Sequence, residues 1–134
     1  MIKIVETHIP VDFPNFTVHN EETLKIAYLI KNSITTPSIV VKEDSDIINI
    51  VEMVEKDKDF LKGKTLILAG LLYRRRTMSK ISTLLTYLMA QDRKYRVTFI
   101  VLIDSIIHLD LRVRNRTNVL YNYITGEEKE ITYG

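Results

Sequence analysis

The stretch that decides the fold of this chain lies between residues 64 and 116. It reads KTLILAG (64–70), LLYRRRTMSK (71–80), ISTLLTYLMAQDRKY (81–95), RVTFIVLID (96–104) and SIIHLDLRVRNR (105–116). The first and fourth of these segments contain continuous apolar runs, which are typical of strands covered on both faces. Between them, apolar residues recur at i, i+3, i+4 and i+7, the spacing of an amphipathic helix over residues 78–94.

The segments upstream repeat this alternation of strand and helix. Strands are predicted at 2–5 and 38–41, and a further short strand at 16–18. Asn20 predicts the N-cap of a first helix. A second helix follows Asp44-Ser45-Asp46, and its predicted buried stripe is Ile47, Ile50, Val51 and Val54.

The segment 118–124 alternates and ends at Thr125-Gly126, so it predicts an edge strand, followed by a short polar hairpin return or tail. Together these elements predict a single α/β domain over residues 1–134. Its expected architecture has three layers, with a mostly parallel central sheet flanked by helices and right-handed crossovers.

Composition narrows the function classes. The formal net charge is only +2, so affinity for nucleic acid requires local clusters of basic residues. The chain has no cysteine, which excludes disulfides, thiolate metal sites and thiol nucleophiles. No apolar run approaches the roughly 20 residues that span a bilayer. We therefore expect a cytoplasmic protein with no membrane partner.

The order of elements resembles the second half of a RecA-like P-loop ATPase core of the FtsK/HerA and viral DNA-packaging type. The matching pieces are TLILAG, YRRRTMSK, the helix ending Gln91-Asp92-Arg93-Lys94, VTFIVLID and the D-x-R-x-R segment Asp110–Arg114. The segment 19–32 then stands where the phosphate loop and its helix occur in that family. The resemblance implies a RecA-like fold, a virus or plasmid as the source, and host cytoplasm as the location.

The departures from that family remove its chemistry. A phosphate loop needs glycines and a lysine, but segment 19–32 has no glycine, Glu22 stands in the place of the lysine, and only Thr23 is retained. Ala69 and Gly70 replace the acid pair that holds Mg²⁺, and Asp104 occupies the polar sensor position. Because phosphoryl transfer depends on positioning and charge neutralisation, we expect a pseudo-ATPase without cofactor or metal.

Two arginine groups are the candidate nucleic-acid-binding residues. Arg74, Arg75 and Arg76 follow the end of a central strand, where open α/β sheets bind ligands. Arg112, Arg114 and Arg116 alternate at period two, so they are expected to share one face of an extended segment and to meet the first group at one edge. Phosphate contact, a subunit interface and an ordinary solvated face remain open for these arginines.

Three functions follow from these observations. The first is a non-catalytic nucleic-acid-binding or assembly module, with nucleic acid or further copies of the chain as partners. The second is a small metal-dependent nuclease that uses Asp104 and Asp110. The third is a protein-interaction domain that pairs with a true ATPase. The order of the elements favours the first.

Overall fold

The structure is a computed structural model that describes residues 1–7, 16–69, 80–103 and 111–131. Its strands form one six-stranded sheet in the order β2-β3-β4-β1-β5-β6. The strands are β1 (Ile2–Glu6), β2 (Ser38–Val41), β3 (Thr65–Leu68), β4 (Thr98–Ile103), β5 (Val119–Asn122) and β6 (Glu128–Glu130). The helices are α1 (Phe16–Ser33), α2 (Asp44–Lys56), α3 (Lys80–Met89), α4 (Asp92–Tyr95) and α5 (Leu111–Arg114).

The pairing confirms the predicted fold class. Strands β1 to β5 are mutually parallel, and only β6 runs antiparallel to its neighbour. Helices α2, α3 and α5 lie on one face of the sheet and α1 lies on the other, as right-handed crossovers require. The result is a three-layer arrangement with a mostly parallel central sheet, consistent with a RecA-like one.

Two apolar cores fill the space between these layers. The larger lies beneath α2 and α3 and contains the predicted stripe Ile47, Ile50, Val51 and Val54. The smaller lies beneath α1 and includes Ala27, Ile67 and Leu102. The predicted strand cores are confirmed, because Ile67, Leu68, Phe99 and Val101 have no exposed surface and Ile100 is 8% exposed.

The first helix begins earlier than the sequence predicted. Helix α1 starts at Phe16, so the strand predicted at 16–18 and the N-cap predicted at Asn20 are both wrong. Three residues of strand propensity are a weak signal, since that propensity depends on packing against neighbouring strands. The connection between β1 and α1 is therefore shorter than expected and covers residues 7–15.

The long helix predicted over 78–94 is divided. Helix α3 ends at Met89, two residues form a turn, and α4 follows as a single turn. The buried stripe through Leu85, Leu88 and Met89 would next require an apolar residue at 92, where the sequence has Asp92. Burying a carboxylate without a partner costs free energy, so a helix that continued with the same buried face would be unfavourable. The end of α3 at Met89 is consistent with this cost.

The prediction that 118–124 forms an edge strand is also wrong. Strand β5 pairs in parallel with β1 on one side and antiparallel with β6 on the other. The hairpin return that the sequence left open as an alternative is thus the one the structure adopts. Lys3 on β1 forms an ion pair with Glu128 on β6 (Nζ to Oε1, 3.1 Å), which links the hairpin to the central strand.

The outer edge of β2 is occupied by two side chains. The N–H groups of Thr65 and Ala69 donate to Pro37 O and Val41 O. The backbone N–H and C=O groups of the odd-numbered residues of β2 therefore point towards β3, and those of Ser38 point outward. The Ser38 carbonyl accepts a hydrogen bond from Lys31 Nζ at 2.7 Å. Past the end of the strand, the N–H of Lys42 also faces outward and donates to Asp46 Oδ2 at 3.0 Å.

Candidate functional site

The carboxyl edge of the sheet, where β1, β3 and β4 end, is where ligands of open α/β sheets bind. Strand β1 leads to α1 on one face, and its neighbour β4 leads to α5 on the other, which makes this pair a topological switch point. Apart from Glu6, the last residue of β1, the described groups at these three strand ends are small or apolar. Thr7 N–H and Oγ1 both donate to Ile103 O, at 2.8 and 3.2 Å, and Ala69 is 1% exposed.

Most residues predicted to form the site at this edge cannot be placed. Arg74, Arg75, Arg76, Gly70 and Asp104 lie outside the described residues, as does Asp110 of the nuclease alternative. These assignments stay predictions. Among the described ones, Ala69 directly follows β3, as the sequence predicted.

The degenerate nucleotide site also included Glu22 and Thr23. Both lie in the second turn of α1, since the helix begins at Phe16, and Thr23 is buried. They are therefore not the first residues after the connection that leaves β1. A phosphate group held by the amino end of a helix would instead lie next to Phe16.

The second arginine group is not extended and does not lie at the carboxyl edge. Arg112 and Arg114 belong to helix α5, so the segment is helical and lacks the period-two alternation of a strand. Val113 between them is 2% exposed and packs in the larger core, which favours the helical turn over a strand. Arg116 comes three residues before β5, so it lies at the amino edge of the sheet. The prediction that this group forms one face of an extended segment is wrong. The prediction that it meets Arg74, Arg75 and Arg76 at one edge concerns residues outside the described ranges and stays a prediction.

The amino edge is the end of the sheet at which the parallel strands begin. It is held together by backbone hydrogen bonds between segments: Gly63 N–H donates to Tyr95 O, Thr98 N–H to Lys64 O, Phe99 N–H to Met1 O and Asn118 N–H to Ile2 O, at 2.8–3.2 Å. The segments that precede β3 and β4 are thus fixed next to each other, and the start of β1 connects them to the segment that precedes β5.

Five cations lie along this edge, and we call them the basic edge: Lys62, Lys64, Lys94, Arg96 and Arg116. Four are exposed and Lys64 is half-buried. Lys64 and Arg116 precede strands that are three positions apart in the sheet. At about 4.8 Å per strand, the basic edge is therefore about 15 Å wide.

The charge at this edge is not balanced. Residues 56–64, 94–96 and 114–116 hold eight of the 19 Lys and Arg residues of the chain and two of its 17 acidic residues, Asp57 and Asp59. A third acid at this edge is Glu130, which lies opposite Val119 at the start of β5. No residue of the basic edge forms an ion pair with a carboxylate in the part of the chain that the structure describes. A chain of net charge +2 therefore carries a local excess of positive charge at one end of its sheet.

Two aromatic rings support lysines of the basic edge. Lys64 Nζ lies 3.8 Å from the centre of the Phe60 ring, and Lys94 Nζ lies 5.4 Å from the centre of the Tyr95 ring. Such contacts restrict the side chains without neutralising them. The ammonium groups therefore remain available to anions.

Other kinds of site find no support in the described ranges. No group of three or more His, Cys, Asp or Glu side chains there is arranged to hold a metal ion. Among the helices of those ranges, none is both long and apolar enough to cross a bilayer. Compared with known proteins, the chain matches no family model and no curated protein.

The sequence analysis missed four of the five residues of the basic edge. The predicted sites were a run of arginines and a set of alternating arginines. The cations of the basic edge instead come singly or in pairs from three separate segments. A usable signal was present: basic residues stand within three positions before the predicted starts of β3, β4 and β5. Because parallel strands begin at the same edge, such residues must lie side by side.

Proposed function

We propose that this protein is a non-catalytic nucleic-acid-binding module with a degenerate RecA-like arrangement, and that its basic edge contacts the phosphate backbone. The observation that carries the proposal is the line of exposed cations with no carboxylate partner in the described part of the chain. Lys and Arg residues arranged on one face are the usual means of binding phosphates. An excess of charge without neutralising partners costs stability, and a polyanion would offset that cost.

The sequence of the β1–α1 connection supports the absence of ATPase chemistry. Residues 7–15 read THIPVDFPN, with no glycine and no lysine. A phosphate loop at this place would need both, glycine for its exposed backbone N–H groups and lysine for the phosphate charge.

Contacts to the backbone alone would make binding independent of sequence and sensitive to salt. If about four phosphates are contacted, the plot of log K against log salt has a slope of about −3 to −4 on duplex DNA. Affinity then falls about a hundredfold between 50 and 200 mM salt. These values can be measured by fluorescence anisotropy with two labelled duplexes of unrelated sequence and one single strand.

The decisive variant reverses three charges of the basic edge: Lys64→Glu, Arg96→Glu and Arg116→Glu together. We expect it to lose about a hundredfold or more of the affinity at low salt, because each reversal removes an attraction and adds a repulsion. The matched control is Lys25→Glu, Lys42→Glu and Lys129→Glu, which makes the same change in net charge at exposed positions elsewhere. It should lose less than about threefold. Circular dichroism of both variants checks that they fold.

Two outcomes would contradict the proposal. Absence of DNA and RNA binding by the wild-type chain at low salt would overturn it. An equal loss in the two variants would mean that only net charge matters and that the basic edge is not a site. A third variant, Arg74→Ser, Arg75→Ser and Arg76→Ser, tests the carboxyl edge in the same assay.

The alternatives are measured on the same samples. Contact of the basic edge with further copies of the chain would change the sedimentation coefficient of the triple variant without nucleic acid present. Nuclease activity would appear as Mg²⁺- or Mn²⁺-dependent cleavage of the labelled strands, and would be lost on Asp104→Asn. Pairing with a true ATPase would require a partner and leave no nucleic-acid affinity.

A further inference from the structure

Arg96 has an unusual backbone conformation. Its φ angle is 55°, and it is the one non-glycine residue with positive φ in the described part of the chain. It directly follows helix α4, at the position where helices commonly end with a residue in the left-handed conformation. Glycine normally occupies that position and asparagine sometimes does, because a Cβ atom makes this conformation unfavourable.

The surrounding structure fixes this conformation. On one side, Tyr95 O accepts the Gly63 N–H at 3.2 Å, and on the other Val97 is fully buried. The chain must therefore turn at residue 96 to pass from α4 into β4. Nothing in that turn requires an arginine, because the side chain is exposed and has no ion pair with a described carboxylate.

A purely structural role does not account for this residue. Arginine at the end of a helix gains from the helix dipole, but α4 has only four residues, and that interaction is weak at exposed sites. A non-glycine residue in a disfavoured conformation is instead typical of positions kept for function at some loss of stability.

We infer that Arg96 is the principal phosphate-binding residue of the basic edge, retained for its guanidinium at a backbone position that disfavours it. The inference rests on the proposed function. Arg96 lies between the segments that carry Lys64 and Arg116, so a backbone crossing the edge passes it. Its planar guanidinium can donate two parallel hydrogen bonds to one phosphate, which a lysine cannot.

The test combines stability and binding in the full chain. Arg96→Gly should raise the melting temperature by about 2–5 °C, because it relieves the left-handed strain. The same variant should weaken binding to a labelled 20-bp duplex about tenfold or more at 50 mM salt. Arg96→Lys keeps both charge and strain, so its melting temperature should stay unchanged while its affinity falls between the two. Arg116→Gln is the matched control, with weaker binding and no gain in melting temperature.

The opposite changes of stability and affinity separate this role from a structural one. If the wild type binds the duplex and Arg96→Gly binds equally well, this inference is overturned and the proposed function stands. If Arg96→Gly lowers the melting temperature, the conformation is not strained and the inference also fails. If the wild type does not bind the duplex, the proposed function fails, and the inference with it.

Discussion

The two ends of the sheet differ in what they present to a ligand. At the carboxyl edge, the described strand ends carry Thr7, Ala69 and Ile103, which are small or apolar and buried. At the amino edge, cations stand before β3, β4 and β5, and backbone hydrogen bonds join these segments to one another or to the start of β1, which lies between β4 and β5. The general rule for open α/β sheets directs attention to the carboxyl edge. In this chain, however, the described excess of positive charge lies at the other end.

This difference shows that the position at which a fold usually binds its ligand need not be the position of the charged residues in a particular chain. The strand order and the switch point between β1 and β4 are those of a fold that binds ligands at the carboxyl edge. The chemistry of a site depends on its residues, and here the residues that we propose bind phosphate lie elsewhere. The contribution of each edge to the free energy of unfolding, and the ligands that each edge binds, can be measured separately.

The largest effect is expected for Phe99→Ala, beside the amino edge. Phe99 is fully buried, and its N–H donates to Met1 O at 2.8 Å. Removing the ring leaves a cavity in the larger core and should cost about 3–5 kcal/mol of the free energy of unfolding. Urea denaturation measures this value. The control Glu52→Ser, at an exposed position of α2, should change it by less than about 0.5 kcal/mol.

A Phe99→Ala variant as stable as the wild type would contradict the placement of β4 between two helical layers. It would also mean that the amino edge is not anchored in the core.

A smaller effect is expected for Thr7→Val at the carboxyl edge. The Thr7 hydroxyl donates to Ile103 O at 3.2 Å, but that carbonyl already accepts the Thr7 N–H. Loss of the hydroxyl therefore leaves no carbonyl without a partner, and we expect a loss of about 1 kcal/mol. The same denaturation experiment applies. A loss as large as that of Phe99→Ala would mean that both edges depend equally on tight packing.

The smallest expected effect is the response to nucleotide, which should be zero. With no glycine or lysine in residues 7–15, the segment between β1 and α1 lacks the residues of a phosphate loop. Millimolar Mg·ATP should leave the melting temperature unchanged, whereas binding at 100 times Kd would stabilise the fold by about 2.7 kcal/mol. An ATP-specific rise, absent with sulfate at equal ionic strength, would return the functional site to the carboxyl edge.

The parts of the fold that the sequence predicted well are those with strong periodicity. The apolar runs of β3 and β4 and the stripe of α2 are all buried where expected. The fold class followed from their alternation. Helix ends were less predictable, because Phe16–Val18 and the alternation around Val113 are compatible with either helix or strand until tertiary packing decides.

The candidate surface could not be predicted in the same way, because it has no local pattern. Lys64, Arg96 and Arg116 are distant in sequence, and only the strand order shows that they lie along the same edge of the sheet. The positive φ of Arg96 likewise results from the turn between α4 and β4, which the sequence analysis had treated as the end of one long helix. Sites assembled from single residues of several segments require topology before they can be recognised.

The outer side of β2 has a consequence for molecules at high concentration. A strand from another chain could add to this side of the sheet only by pairing with the outward groups of β2. Lys31 already holds the Ser38 carbonyl at 2.7 Å, and Asp46 holds the Lys42 N–H at 3.0 Å. An incoming strand would have to displace both and would bury an ammonium group without its acceptor. At high concentration, copies of this protein would therefore gain little free energy by pairing their sheets through β2. This opposes the first step towards a fibril through this edge.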